Sequence, residues 1–571
     1  MKPLPVPPLS QTLERTLEAV APLVDAHELH RLRDVVDAFA AGEGPRVQAE
    51  LERFAAAEER TGRSWLSEAW LEDYLVVREP LPLTTSVAIQ VNWDATPEQG
   101  RGVERAADIV HRLATVHLRH LRGELDAELG FRDEPLSAEQ RRYLAGGART
   151  PRPEVDGFVA GPSDASNREI GVVWRGHLLA VPVSDASGAP VGRDRLAATL
   201  GAISRLGPAS SPSVLTPSYL GSAALAPILD ELLAEDGNRR TYARLVDLLF
   251  VTTLVEEQGE DAAQLKRAGV GLDRTWTYKP ASYAIGLRDS FVGIHMEHSI
   301  YDAGSALSVL EAAKLVEPVD EGTGEAPTAT PLVWRTTADL AERIVAGAET
   351  YRQEAAHYRC RLVRVAVAPP LTSRVSIDGL MQFTMLAAQL RTFDRIRSTY
   401  EAVDMREYQA GRTECLRPNT GEAVALAHAL VDGTATPAHL RAALDAHRTG
   451  VKRAKSGGAV DRHLWGLERA ARRLGLAPAL FTDPAVRLLT TSVLSTTSLG
   501  RRDLVLRIAF PPVVPDGLGI YYVNDVDAFE FLVNWRDDEL DRVDAFEDAL
   551  DEFAPLVWAL ADALGSTSDI R

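Results

Sequence analysis

The 571-residue chain predicts a mixed α/β fold, with sheets flanked by helices, on three observations. Apolar residues at helical spacing alternate along the chain with short β-branched and aromatic runs bounded by turn residues. The length exceeds what one hydrophobic core usually organises, so more than one domain is expected. Hydrophobic residues make up 45% and charged residues 25%, an ordinary globular composition with no fibrous or disordered bias.

The elements follow in chain order. Pro3, Pro5, Pro7 and Pro8 predict an extended start, and Leu13, Leu17, Val20 and Leu23 predict a helix from near Ser10. Residues 25–78 read as further helices. Residues 145–167 are rich in Gly, Pro, Ser and Asp and read as a surface loop, followed by a strand-like segment over 171–182. Helical patterning is expected over 223–257. Two strands are then expected at 281–286 and 291–296, split by Asp289 and Ser290. Residues 316–330 read as a flexible boundary, followed by a helix over 338–359. Strands are expected at 361–367, 487–494, 504–510 and 519–523, and an amphipathic helix at 545–564 closes the chain.

Charge and cysteine usage exclude several function classes. Lys plus Arg is 62 against 81 for Asp plus Glu, a formal charge of -19. Broad nucleic-acid binding needs a basic face, and adhesion to an anionic membrane needs the same. An anionic substrate must therefore be held by a local cluster of cations. Cys360 and Cys415 are the two cysteines, and neither belongs to a CxxC pair. A disulfide framework, redox motif or Cys-rich metal site has no support, and a reducing compartment is expected. The N-terminus lacks a signal-like apolar run, the longest apolar run falls far short of the ~20 residues that span a bilayer, and the C-terminus matches no peroxisomal address. A cytoplasmic location is the expectation.

Chemistry concentrates in FVGIHMEHSIYDAGSAL, residues 291–307. His298 is expected on the loop just past a strand, and Asp302 follows four residues later. If that loop turns helical, the two share a face, and a carboxylate on one imidazole nitrogen leaves the other free to accept a proton. A capping or packing histidine satisfies the same spacing. A metal pair of His295 with His298 has no third ligand nearby. LSTTS, residues 494–498, reads on its own as a β-branched strand.

Taken together with LPVPPLSQTLERTL, SWLSEAWLEDY, TYEAVDMREYQAGRTECLRP, AVDRHLWGL and FPPVVPDGLGIYYV, the MEHSIYD and LSTTS segments resemble the choline/carnitine acyltransferase family over nearly the whole chain. The resemblance implies two domains of chloramphenicol acetyltransferase-like topology, with an active-site tunnel at their interface. One would be residues 88–340, and the other 1–87 plus 341–571. It implies general-base catalysis without an acyl-enzyme, with His298 as base and Asp302 orienting it. Ser495 and Thr497 would serve the oxyanion and the reactive oxygen. Tyr400, Thr413 and Arg462 would meet the carboxylate of carnitine, and Phe510 and Val513 its trimethylammonium group. Arg462 and Thr413 are the carnitine-type residues where choline enzymes typically have Asn and Val. Asp378 and Arg412 would brace the pantetheine tunnel, and a buried structural ion pair fits them equally.

No permanent cofactor is implied, with CoA or acyl-CoA as co-substrate and carnitine as acceptor. The donor side departs from the family pattern. The two lysines expected for the CoA 3'-phosphate align with Val367 and Leu371, leaving Arg374 as the nearby cation. Ser498 stands for the usual Gln, and Asp404 for a serine, where an acid beside a polyphosphate would weaken binding. A phosphopantetheine arm on an acyl carrier protein is therefore an alternative donor, and a different alcohol an alternative acceptor. A non-catalytic acyl-CoA-binding protein is the reading outside enzymology. Ile508 falls where bulk would shorten the acyl pocket.

Overall fold

The computed structural model describes all residues except 94–100, 131–132, 210–212, 320–324, 369–370, 372–373, 538–539 and 567–571. Part of the expected 316–330 linker and the last C-terminal residues therefore lie outside the described residues.

Two mixed sheets dominate. The larger runs in the spatial order Val505–Ala509, Val87–Val91, Val292–Met296, Ala281–Gly286, Val251–Val255, Glu169–Trp174, His177–Pro182 and Thr330–Leu332. The smaller runs Tyr358–Ala366, Ala528–Arg536, Leu518–Asn524, Leu494–Thr497, Thr399–Asp404 and Thr413–Leu416. Val251–Val255 pairs parallel with strands on both sides. Parallel neighbours need long crossovers. Helices Arg193–Ile203, Ser222–Leu233 and Asp236–Asp247 lie in the connection before it, and Asp261–Val270 in the one after it.

One strand breaks the expected division. Val505–Ala509 lies in sequence between two strands of the smaller sheet, yet pairs with Val87–Val91 of the larger one, Ile508 opposite Ile89. Residues 341–571 therefore do not all stay on one body. The excursion ends at Phe510 and Pro511, at the seam between the sheets.

Several local expectations are corrected. The helical reading of 223–257 ends at Asp247, because Val251–Val255 is a strand buried at every position. A strand covered on both faces is a continuous apolar run, which periodicity cannot separate from a buried helix. The strand expected over 487–494 is instead helix Pro484–Thr490, with Asp483 accepting from the Ala485 N–H and Pro484 opening the first turn. That cap-plus-proline signature was present in the sequence. The loop over 145–167 contains the hairpin Gly147–Thr150 with Gly157–Ala160. The segment 171–182 is two strands turned at Arg175 and Gly176, both at positive φ.

A tight turn positions one later residue. Met405 N–H donates to Arg412 O at 2.9 Å, and Gly411 N–H donates to Tyr408 O at 3.0 Å. A Cβ on Gly411 would lie 1.9 Å from the Met405 carbonyl oxygen, so the backbone tolerates no side chain there. Gly411→Ala is expected to lower the unfolding free energy by about 1–3 kcal/mol, the range for overpacking. A urea midpoint equal to wild type would show that the turn relaxes freely.

Candidate active site

Strand Val292–Met296 delivers His298 to a turn at its end, and helix Ala303–Lys314 starts five residues later with Asp302 at its N-cap. The turn is not helical. His298 Nδ1 lies 2.9 Å from the Tyr301 carbonyl oxygen and 3.5 Å from Asp302 Oδ1. The shorter contact is the hydrogen bond, so the main chain sets the tautomer, Nδ1–H donating to Tyr301 O and Nε2 being left basic. Asp302 Oδ1 is thus a charged neighbour of the imidazole and not its hydrogen-bond partner. The His298 side chain keeps 25% of its surface accessible, so solvent reaches it.

Asp302 is held by Arg412, which donates from Nε to Oδ2 and from Nη2 to Oδ1, each at 2.9 Å. This bidentate fork is the strong form of the ion pair. Gln140 adds a donor to Oδ2 at 3.0 Å and accepts from the Asp302 N–H at 2.7 Å. Burial alone would raise the Asp302 carboxyl, but Arg412 and then His298 hold it below its ordinary value. Arg412 also donates to the carbonyls of Ser299 at 2.8 Å and His298 at 3.2 Å. It thus pins the whole His298 turn.

Arg412 and Asp378 do not pair. Asp378 accepts from the Tyr522 hydroxyl at 2.7 Å and lies 3.7 Å from His447 Nε2, which is 3.3 Å from Glu401. Burial pushes the Glu401 carboxyl up to about 7, with His447 opposing and Asp378 reinforcing the rise. Asp378, Glu401 and His447 are the trio among the described residues whose ligand atoms converge tightly enough for a metal ion. Their mutual bonds and Tyr522 already occupy them.

The smaller sheet presents the remaining motifs on one face. Tyr400 is paired with Ser495, Ser495 with Gly519, and Thr497 with Tyr521; Thr413 stands opposite Asp404. Paired residues share a face and alternate positions along a strand repeat it. Tyr400, Thr413, Ser495 and Thr497 are therefore co-facial, while Thr496 turns inward to accept from Gln382 at 3.0 Å. Gly519 leaves room for Phe510, whose ring would be 2.9 Å from a Cβ there. Val513, by contrast, is 63% exposed and forms no apolar wall, because it rides the turn beyond Phe510.

Arg462, in helix Asp461–Arg473, donates from Nε to the Thr413 carbonyl at 2.8 Å, and Nη2 lies 3.5 Å from the Tyr400 hydroxyl oxygen. Among the described residues no carboxylate lies within ion-pair distance of it. Its guanidinium stacks 4.4 Å over the Trp70 ring, and Arg412 lies over the same ring at 5.1 Å. Trp70 and Tyr74 sit four apart on helix Ser67–Leu75, and the Tyr74 ring is 5.6 Å from that of His298. These two aromatics and Gln140 are site residues the sequence reading missed. For the aromatics a signal existed, an i, i+4 pair inside SWLSEAWLEDY.

On the donor side, Val367 and Leu371 are partly buried against the apolar core that includes Leu380 and Ile520, and Arg374 is exposed. Asp404 is not a free acid. Arg406 donates to it from Nε and Nη2 while also donating to Glu128, so the two carboxylates share one cation.

A family model described as Choline/Carnitine o-acyltransferase matches residues 4–552. The chain belongs to that family. It is 28% identical to carnitine O-acetyltransferase of Homo sapiens over 558 residues, covering 91% of this chain and 86% of that protein. Carnitine O-palmitoyltransferase 2, mitochondrial, of Bos taurus is 25% identical over 580 residues with the same coverage. Among solved structures, the wax ester synthase/diacylglycerol acyltransferase from Marinobacter aquaeolei VT8 covers 87% of this chain and 97% of its own at 13% identity and TM-score 0.32. The Fusarium sporotrichioides TRI101 complex with coenzyme A and T-2 covers 84% and 96% at 12% identity and TM-score 0.33. As a member of the family, the chain is an α/β protein of mixed sheets flanked by helices, as its two sheets show.

The Asp302–Arg412 pair gives this family member a measurable pH signature. A carboxyl held low in the folded state contributes stability that is complete above its unfolded value near 3.8 and is lost as pH falls through the folded value. Arg412→Gln leaves the carboxylate buried and unpaired, at a cost of about 3–5 kcal/mol. The deficit of that variant relative to wild type should be greatest at neutral pH, shrink as falling pH protonates the variant's unpaired carboxyl, and level off only below the depressed folded value of the wild-type carboxyl, where both proteins are protonated. Urea midpoints across that range measure it, and a pH-independent deficit would remove the ion pair as its cause.

Proposed function

We propose that the protein transfers an acyl group between a coenzyme A thioester and the hydroxyl of carnitine, with His298 as general base. One observation carries the reading. Among the described residues Arg462 has no carboxylate within ion-pair distance, its acidic neighbour Glu414 being pushed up to about 7 by burial; its guanidinium lies over Trp70, whose helix neighbour Tyr74 lies against His298. An alcohol bearing a carboxylate suits that arrangement, because the Arg462 guanidinium would take the negative end while the hydroxyl faces Nε2. Tyr400 and Thr413 stand beside Arg462 to complete the carboxylate pocket.

The chemistry then runs as a direct transfer. His298 Nε2 accepts the hydroxyl proton as the oxygen attacks the thioester carbonyl. The carbonyl π electrons move onto oxygen, where the Ser495 or Thr497 hydroxyl donates to the oxyanion. Such a donor is worth about 3 kcal/mol. Collapse of the intermediate breaks the carbon–sulfur bond, and the imidazolium returns its proton to the departing thiolate. Asp302 stabilises the imidazolium without taking its proton, and Arg412 keeps Asp302 ionised while doing so. Phe510 supplies an apolar, aromatic wall for a trimethylammonium group. A tunnel between the sheets would admit the two substrates, and Ile508, paired with Ile89, falls where bulk would favour a short or medium acyl chain.

A second donor deserves a hearing on one observation: apolar Val367 and Leu371 stand where cations would hold the 3'-phosphate of CoA. A phosphopantetheine arm on an acyl carrier protein carries the same thiol without that phosphate. The cytoplasm, where Cys360 and Cys415 stay reduced, is the proposed location.

The test is thiol release from acetyl-, octanoyl- and palmitoyl-CoA with carnitine or choline present. Release with carnitine, fastest for acetyl-CoA, is expected. Release with choline alone would end the carnitine reading, and release with neither would move the donor to a carrier protein. His298→Ala should lower kcat by about 10³-fold without unfolding the chain. Arg462→Asn should raise the carnitine KM by about 10- to 100-fold, the worth of a charged hydrogen bond, and leave the acyl-CoA KM within about twofold. Equal changes in both constants would take Arg462 out of the carnitine pocket.

A further inference from the structure

Arg412 grips the His298 turn by its carbonyls, and a second arginine reaches the same turn through a side chain. Arg149 lies on the hairpin strand Gly147–Thr150, and its side chain is wholly enclosed. It donates in three directions: from Nε to Asp156 Oδ2 at 2.7 Å, from Nη1 to Glu297 Oε1 at 3.4 Å, and from Nη2 to the Val77 carbonyl at 2.9 Å. Glu297 directly precedes His298 and is as deeply buried. Its other oxygen accepts from the Ser299 hydroxyl at 2.6 Å and the Ser299 N–H at 3.4 Å. One carboxylate therefore ties together the residues before and after the imidazole.

The other two arms of Arg149 lead to the helix that carries Trp70 and Tyr74. Val77 lies three residues past Tyr74. Asp156 donates its N–H to the Leu75 carbonyl at 3.0 Å, and its carboxylate also accepts from Arg78 at 2.7 Å and from the Ser222 hydroxyl at 2.5 Å. Two arginines thus balance two carboxylates. Desolvation offsets most of what such a buried network gains, so stability is a poor reason for it. What a planar guanidinium adds is direction, whereas a lysine would keep the charge as a point on a flexible stem.

The elements joined are the two that bring Tyr74 and His298 together, with their rings 5.6 Å apart. We propose that Arg149 is a positioning residue: through Glu297 and the Val77 carbonyl it sets the spacing between the His298 turn and the Trp70–Tyr74 helix. An acceptor with its carboxylate on Arg462 then meets the imidazole with its hydroxyl in line. This consequence rests on the acyl-transfer reading, while the tie itself does not. Misplacing reacting groups by about 1 Å costs about 10²-fold in rate.

The test uses the full chain with Arg149→Lys, with Glu297→Gln, which keeps the shape without the charge, and with both. Circular dichroism matching the parent verifies folding, and Glu297→Gln decides the matter if Arg149→Lys does not fold. The first readout needs no substrate. Diethyl pyrocarbonate labelling of the His298 peptide, read by mass spectrometry, should speed up about threefold or more relative to the exposed His27 and His30, because a loosened turn bares the ring. The second is thiol release. With carnitine, kcat should fall about tenfold or more while the acyl-CoA KM stays within about twofold. The double variant should be no more than about twofold slower than the slower single one, since both break one tie. His298 labelling that does not rise in folded variants, with only the urea midpoint lowered, leaves Arg149 a stabilising role and overturns the proposal. Losses in kcat that add in the double variant overturn it too. Absence of thiol release from the wild-type chain sinks the acyl-transfer reading instead, and labelling alone then decides the tie.

Discussion

The site depends on one buried ion pair that joins distant parts of the chain. Asp302 belongs to the strand–turn–helix unit of the larger sheet, and Arg412 to the turn that leads into the last strand of the smaller one. A buried pair is weak evidence for stability, because desolvation offsets most of its attraction. Its value here is geometric. The guanidinium plane fixes Asp302 with two donors and spends the others on the Ser299 and His298 carbonyls. The turn carrying the imidazole therefore cannot move without breaking several charged hydrogen bonds at once.

Around that pair the remaining parts come from separate segments. Helix Ser67–Leu75 brings two aromatic rings, of which Trp70 spreads its face under both Arg412 and Arg462. Two guanidinium groups on one ring repel each other. Arg412 is compensated by Asp302, whereas Arg462 is held by a carbonyl and the face of the ring. The two cations thus differ side by side: Arg412 is forked onto a carboxylate, and Arg462 has none within ion-pair distance among the described residues. The strand that crosses to the larger sheet adds the last part, since Val505–Ala509 ends where Phe510 can cover Gly519.

Much of the fold was legible locally. Caps, turns and alternating strands announce themselves within a few residues, and the strand ahead of His298 and the closing helix were foreseen. Misreadings arose where local signals are ambiguous. Val251–Val255 is apolar throughout because the sheet buries both its faces, and Pro484–Thr490 is too short to show a helical period. The co-facial set of Tyr400, Ser495 and Thr497 follows from strand alternation once the parallel register is known, but register is a long-range property.

Residue identity by itself determined which chemistry was available: an imidazole past a strand, a carboxylate four residues on, and an arginine in DRHL. Tertiary structure decided how those groups are used. It turned the imidazole Nδ1 to a backbone carbonyl, matched Arg412 with Asp302 while Asp378 bonds to Tyr522, set Arg406 between Asp404 and Glu128, and exposed Val513. The physical reason is common to all four. Side-chain type sets charge and hydrogen-bonding capacity, but a partner is chosen by distance and burial, and these exist only after segments far apart in sequence have packed together.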